Sequence, residues 1–258
     1  MQVWHMSGAG NDFMILDARG QKPDFPVLSR SLCSLTHADG FMAADASEKA
    51  DFRLHFYNSD GSRGEMCGNG SRCICRFAFD TGLAGSHMTV ETDAGIIEGW
   101  RQSENQYRVR LNLPSIVDSH RVPGVTYVEL GNPGIPHAVK ELPDLQWSGR
   151  EDLHEEAVRL RHHPAFPKGA NVSFFTCLSE DEVRVLTYER YVEDYTLACG
   201  TGCASIAVAL RSAGLLPGGH LTAHNPGGDL RLSVEESGGR FQSVSLEGPA
   251  DVLKIYNL

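Results

Sequence analysis

The stretch Cys67-Gly68-Asn69-Gly70-Ser71-Arg72-Cys73 returns, half a chain length later, as Cys199-Gly200-Thr201-Gly202-Cys203-Ala204-Ser205. Both copies read Cys-Gly-(Asn or Thr)-Gly. An alternating, strand-like run precedes each one, Phe52–Tyr57 (FRLHFY) and 183–188 (VRVLTY). A helical pattern follows each one, over Ser71–Phe79 and Gly202–Ser212, stopped by Thr81-Gly82 and by Gly214. A repeat of this length predicts two pseudo-symmetric domains. The boundary is set at Pro114, so residues 1–113 carry Cys67 and residues 114–258 carry Cys199, with the last strand free to pack back on the first domain.

Working outward, short strands are predicted at Phe13–Leu16, Met88–Thr92, Gly95–Trp100, Tyr107–Leu113, Val125–Leu130, Asn171–Phe175, Glu182–Tyr188, Leu230–Val234, Gln242–Glu247 and Asp251–Tyr256. Further helices are predicted at Val27–Leu35, after the breakers Pro23 and Pro26, and at Leu153–His162, whose acidic start and basic end suit the helix dipole. Strands dominate. The fold class is therefore α+β, each domain a mostly antiparallel sheet wrapped around a central helix, rather than a doubly wound sheet.

The 258 residues include 33 acidic and 23 basic ones, a formal net charge of -10. No dense Lys/Arg block is present, so no nucleic-acid partner is expected. No run of 18 apolar residues suggests a membrane span, and the N-terminus lacks the pattern of a secretory signal, so a cytoplasmic protein is expected. The seven cysteines are odd in number and read as free thiols, ligands or catalysts. Cys73 and Cys75 lack the second Cys-x-x-Cys pair of a structural zinc site, so no metal is expected.

A cysteine before Gly-x-Gly at a helix start combines two properties. Helix-terminal N–H groups can hold a carboxylate, and the same field lowers a thiol pKa. One such loop alone is an ordinary helix entrance with a packed cysteine. Two, on related domains, could hold one carboxylate and present thiols to opposite faces of the adjacent carbon. One thiolate would remove the α-proton and the other thiol would return one, with no cofactor required. Neither loop continues as Gly-x-Gly-x-x-Gly or as a P-loop. Asn11, Asn58, Asn132 and Asn171 taken singly are turn residues, and Glu189-Arg190 a surface pair. Together they would suit a small zwitterionic substrate with a charged far end.

The chain resembles the diaminopimelate epimerase family. The resemblance runs through GAGNDFMILDA near the start, ADG at 38–40, FYNSDGS, MCGNGSRC, PHAV, GANVSF, YER, ACGTG, PGG near Gly227 and the C-terminal EGPADVLKIY. It implies a cofactor-independent isomerase of amino-acid biosynthesis, acting on LL- and meso-diaminopimelate, with Cys67 and Cys199 as the catalytic thiols. It implies that Gly68-Asn69 and Gly200-Thr201 hold the reacting carboxylate. Asn11, Asn58, Asn132, Asn171, Glu189 and Arg190 fall on substrate-binding positions, Arg190 at the distal carboxylate. A homodimer is also implied. Three stretches differ from the family pattern. The approach to ADG is shortened to 33–37, GNPGIPHAV with His137 stands where GNPH is usual, and Tyr191 stands where glycine follows Tyr-Glu-Arg. These leave open a racemase of another amino acid on the same scaffold. A non-catalytic binding protein of this fold is the third alternative, and retention of both cysteines argues against it.

Overall fold

The computed structural model describes all residues except Lys22, Glu65, Met66 and Ala94. Met66, part of the MCGNGSRC resemblance, thus lies outside the described residues. Two units divide the chain: Met1–Arg110 with Glu247–Leu258, and Leu111–Leu246. The division drawn on the sequence lies three residues from this one at the crossing point, and the C-terminal strand groups with the first unit.

The first unit contains β1 (Gln2–Gly8), β2 (Asn11–Asp17), α1 (Phe25–Thr36), β3 (Gly40–Asp45), β4 (Phe52–Asn58), α2 (Gly68–Asp80), β5 (His87–Thr92), β6 (Gly95–Arg101) and β7 (Gln106–Arg110). The second contains β8 (Pro114–Val122), β9 (Val125–Gly131), β10 (Gly134–Glu141), α3 (His154–Arg161), β11 (Asn171–Cys177), β12 (Glu182–Glu189), β13 (Asp194–Thr196), α4 (Gly200–Ser212), β14 (His220–Asn225) and β15 (Gly228–Ser237). From there β16 (Arg240–Pro249) carries the chain back into the first unit, where β17 (Asp251–Asn257) pairs with β1.

Strand pairing makes the repeat explicit. In the first unit the order is β17-β1-β2-β3-β4-β5-β6-β7, with β2/β3 and β4/β5 parallel and the other pairs antiparallel. In the second it is β8-β9-β10-β11-β12-β14-β15, with β10/β11 and β12/β14 parallel and the rest antiparallel. A parallel pair needs a crossover, and each crossover here carries a helix. The second crossover helix of each unit, α2 or α4, follows the cysteine. It packs on β1, β2, β3, β6 and β7 in the first unit, and on β8 to β11, β14 and β15 in the second.

Sequence explains why these helices lie inside. All residues from Gly200 to Leu210 are buried, and most are small and apolar. A helix that is apolar around its circumference has no face to give to water. The second glycine of each copy then follows from packing. A Cβ on Gly202 would sit 2.7 Å from Ser173 Oγ on β11 and 2.9 Å from Thr187 Oγ1 on β12. A Cβ on Gly70 would meet the Met42 side chain on β3 and lie 3.3 Å from the Phe13 ring. Gly202→Ala is therefore expected to destabilise the fold by about 1–3 kcal/mol. Gly70→Ala should cost less, because the Met42 terminus can swing away. Urea denaturation of both variants measures the difference, and equal midpoints would contradict this packing account.

Several predicted elements shift. Both central helices begin earlier than expected, at Gly68 and Gly200 rather than Ser71 and Gly202, because the glycines are helical residues and the cysteines cap them. Pro26 does not break α1. It lies in the first turn, where its missing N–H is harmless, behind Asp24, whose side chain accepts from Val27 N–H. Pro114, just past the division between the units, is the first residue of β8. The unpredicted strand β3 is buried at five of its six positions, so it shows no alternation. No helix among the described residues is long and apolar enough to cross a membrane.

Candidate active site

Each helix entrance begins at a cysteine in extended conformation, with φ of -119° at Cys67 and -114° at Cys199. The intrahelical ladder starts with Ser71 N–H donating to Cys67 O (2.8 Å) and Cys203 N–H donating to Cys199 O (3.0 Å). The N–H groups of residues 68–70 and 200–202 lie ahead of that ladder, the arrangement that favours an anion. Gly70 N–H donates to Cys67 Sγ at 3.5 Å, so the sulfur itself caps α2. Cys67 is half-buried, whereas Cys199 is 5% exposed.

In the first unit the entrance is held by a polar chain. Asn69 Nδ2 donates to Asn11 Oδ1 (2.6 Å), and Asn11 Nδ2 donates to Asp39 Oδ2 (3.3 Å). Asp39 also accepts from Asp12 N–H (2.9 Å). Arg72, fully buried, donates from Nη2 to Asn69 Oδ1 (3.0 Å) and from Nη1 to Gly68 O (3.2 Å). Asn58 stands apart from this chain. It is exposed at the end of β4, and its amide donates to Ser62 Oγ and Arg63 O in the loop leading to Cys67.

In the second unit a histidine does this work. His137 Nε2 lies 3.0 Å from Thr201 Oγ1 and 3.3 Å from Asn171 Nδ2, and Nδ1 lies 3.4 Å from Ser173 Oγ. Asn171 Oδ1 accepts Arg190 N–H (2.8 Å), which fixes the amide with its NH2 toward the ring. Nε2 is therefore an acceptor and Nδ1 carries the proton. Burial, aided by the Arg190 charge, pushes the His137 pKa down to about 3, in keeping with a neutral ring. The unfolded chain takes up this proton from pH 6.5 downward and the folded chain does not. Stability is thus lost as pH falls from 6.5 toward about 3, at about 1.4 kcal/mol per pH unit. Urea denaturation at pH 7 and pH 4 should show this loss. His137→Asn should flatten the dependence, and an unchanged slope would contradict the assignment.

Cys199 Sγ lies 3.5 Å from Thr201 Oγ1. Burial and the Glu189 carboxylate push this thiol well above its ordinary range, outweighing the Thr201 hydroxyl and Gly202 N–H. The expectation that a helix start lowers the thiol pKa is thus corrected at Cys199, because desolvation of the sulfur is the larger effect. Cys199 is a thiol at neutral pH.

Glu189 Oε1 accepts from Thr196 Oγ1 at 2.6 Å. Arg190 Nη1 donates to Lys168 O (3.0 Å), its guanidinium lies 5.2 Å from the Tyr191 ring centroid, and its Nε is buried without a hydrogen-bond partner. Tyr191 is 81% exposed and left-handed, with φ of 70°. Asn132 is exposed in the Gly131–Gly134 turn.

Two groupings therefore form within the units: Asn11, Gly68 and Asn69 beside Cys67, and Glu189, Gly200 and Thr201 beside Cys199, with Asn171 and Arg190 linked to Thr201 through His137. Arg72 and His137 join them without having been assigned a role from sequence. Both lie within quoted motifs, CGNGSRC and PHAV, but nothing in a motif tells that a charged or ring side chain turns inward to hold the loop. Among the described residues, no three His, Cys, Asp or Glu side chains are placed to hold a metal ion.

The family model described as Diaminopimelate epimerase matches residues 3–117 and 129–253. A diaminopimelate epimerase of Aquifex aeolicus is 36% identical over 239 residues, covering 84% of this chain and 83% of that protein. One from Flavobacterium psychrophilum is 30% identical over 259 residues, covering 97% of each. Among solved structures, a phenazine biosynthesis protein of the PhzF family from Bacillus anthracis superposes with a TM-score of 0.74 over 100% of this chain and 98% of that one. At 14% identity that likeness concerns the fold alone.

Proposed function

The chain belongs to the diaminopimelate epimerase family, and we propose that it interconverts LL- and meso-diaminopimelate by cofactor-independent inversion of one α-carbon. The observation that carries this reading is the duplicated entrance, one capping cysteine followed by Gly-x-Gly in each unit. One sulfur, as thiolate, takes the α-proton. The C–H electron pair moves into the carboxylate as an enolate-like dianion, held by the N–H groups of Gly68-Asn69 and Gly200-Thr201. The other thiol delivers its proton to the opposite face, and the two sulfurs end with their protonation states exchanged. In this reading the buried Cys199 thiol is the donor when Cys67 is the base. Asn11, Asn58, Asn132, Asn171 and Glu189 bind the substrate's polar groups, and Arg190 takes the distal carboxylate. The protein works as a cytoplasmic homodimer, where its free thiols stay reduced.

Incubation with LL-diaminopimelate in deuterated water tests this. Meso product carrying one solvent deuterium at the inverted carbon is the expected result, followed by chiral chromatography and mass spectrometry. A second reading is favoured by Tyr191, whose exposed ring lies beside Arg190: a racemase for another amino acid. Exchange confined to a monocarboxylic amino acid would replace the first reading with this one. No exchange with any amino acid would leave a binding protein.

A further inference from the structure

Arg72 is an unusual residue for its position. A guanidinium with no exposed surface is unfavourable, and a position near a helix N-terminus adds the repulsion of the dipole's positive end. The fold does not demand it, because the corresponding position of the second copy, five residues after Cys199, is Ala204. There Thr201 is held by the neutral His137 instead. Arg72 uses three nitrogens. Nη2 holds the Asn69 side chain, Nη1 holds the Gly68 carbonyl, and Nε donates to Pro249 O (3.2 Å). Pro249 ends β16, where the chain has just re-entered the first unit. One turn along α2, Arg76 makes a comparable clamp, Nη1 donating to Ala250 O (2.7 Å) and Nε to Asp80 Oδ2 (3.1 Å), both away from the helix entrance.

We propose that Arg72 is a positioning residue for the inversion: its guanidinium fixes Asn69 and the Gly68 peptide in the orientation that receives the reacting carboxylate, and keys both to the returning strand at Pro249. This rests on the carboxylate-holding role given above to Gly68-Asn69. Without the fork, Asn69 Oδ1 loses the guanidinium that orients it, and the Gly68 carbonyl loses the side-chain donor that supplements the helix ladder. The charge developing on the carboxylate in the transition state is then met by misplaced donors, a loss that falls on kcat more than on KM.

The test compares Arg72→Met with Arg76→Met in the full chain, using steady-state kinetics on diaminopimelate together with thermal melts. Arg72→Met should lower kcat about 30-fold or more with KM changed by less than about threefold. Arg76→Met should lower the melting temperature and leave kcat/KM within about twofold of wild type, since it severs only the strand clamp. Asn69→Ala and the double variant Arg72→Met/Asn69→Ala complete a cycle. If Arg72 acts through Asn69, the double variant falls little below Asn69→Ala alone. Equal kinetic losses in the two arginine variants, or fully additive losses in the cycle, would overturn the proposal. Should Arg72→Met fail to fold, Arg72→Lys replaces it. That variant keeps the charge but not the fork, so kcat should drop about tenfold, and wild-type kcat would overturn the proposal. Failure of the wild-type protein to turn over diaminopimelate would strike the functional reading first and is seen before any variant is made.

Discussion

Cys67→Ala and Cys199→Ala are each expected to lose inversion by roughly a thousandfold or more while keeping the fold, Cys67→Ala melting somewhat lower because it loses the sulfur cap of α2. The reason is stoichiometric. Inversion needs a proton removed from one face and another delivered to the opposite face, and an alanine can do neither. The two losses should not add: once either sulfur is gone, removing the second changes little, because they act as one unit. Serine at either position is expected to leave weak activity. Unimpaired turnover by either single alanine variant would sink the two-thiol scheme. Differences in burial add a check that needs no substrate. The half-buried Cys67 should be alkylated by iodoacetamide near neutral pH well before Cys199, which is enclosed and held in its thiol form. Peptide mass spectrometry after timed labelling gives the order, and faster labelling of Cys199 would contradict it.

The second large effect concerns Arg190. Its Nε is buried and without a hydrogen-bond partner, an unfavourable state for a guanidinium nitrogen. One nitrogen, Nη1, is held by Lys168 O, and the backbone N–H is fixed by Asn171, so the side chain starts from an anchored base. A distal carboxylate docking on the remaining edge would gain a charge-assisted, forked contact. Arg190→Met should lower kcat/KM for diaminopimelate about a hundredfold, mostly through KM, in line with truncating one partner of a desolvated charge pair. Arg190→Lys should recover little, since an ammonium cannot supply the planar fork. A monocarboxylic amino acid, if turned over at all, should be almost indifferent to either change. An unaltered KM for diaminopimelate in Arg190→Met would remove Arg190 from the distal site.

Legibility varied with how local the cause was. The strand at Phe52–Asn58 is legible because burial alternates along it, and the helix ending at Ser212 because Gly214 stops a run of small, helix-compatible residues. The strand at Gly40–Asp45 is not, because a strand covered on both faces has no period to show. Likewise Pro26, a breaker by residue type, lies in the first turn of α1, since there its missing N–H would have no partner in the helix anyway. Asn11 and Asn69 were each readable as polar residues near a loop. That they bond to one another across 58 positions was not.

Two related halves, each with a cysteine at the entrance of its central helix, are legible in the chain alone, because a repeated Cys-Gly-x-Gly and its flanking patterns are local and survive without coordinates. Tertiary structure decided the environment of those groups. It buried Cys199 beside Glu189 and so raised its pKa against the pull of the helix start. It brought His137 to Thr201 in one unit and Asn11 to Asn69 in the other. Desolvation and side-chain hydrogen bonds depend on which distant segments pack together, and that is set by the whole fold rather than by any stretch of chain.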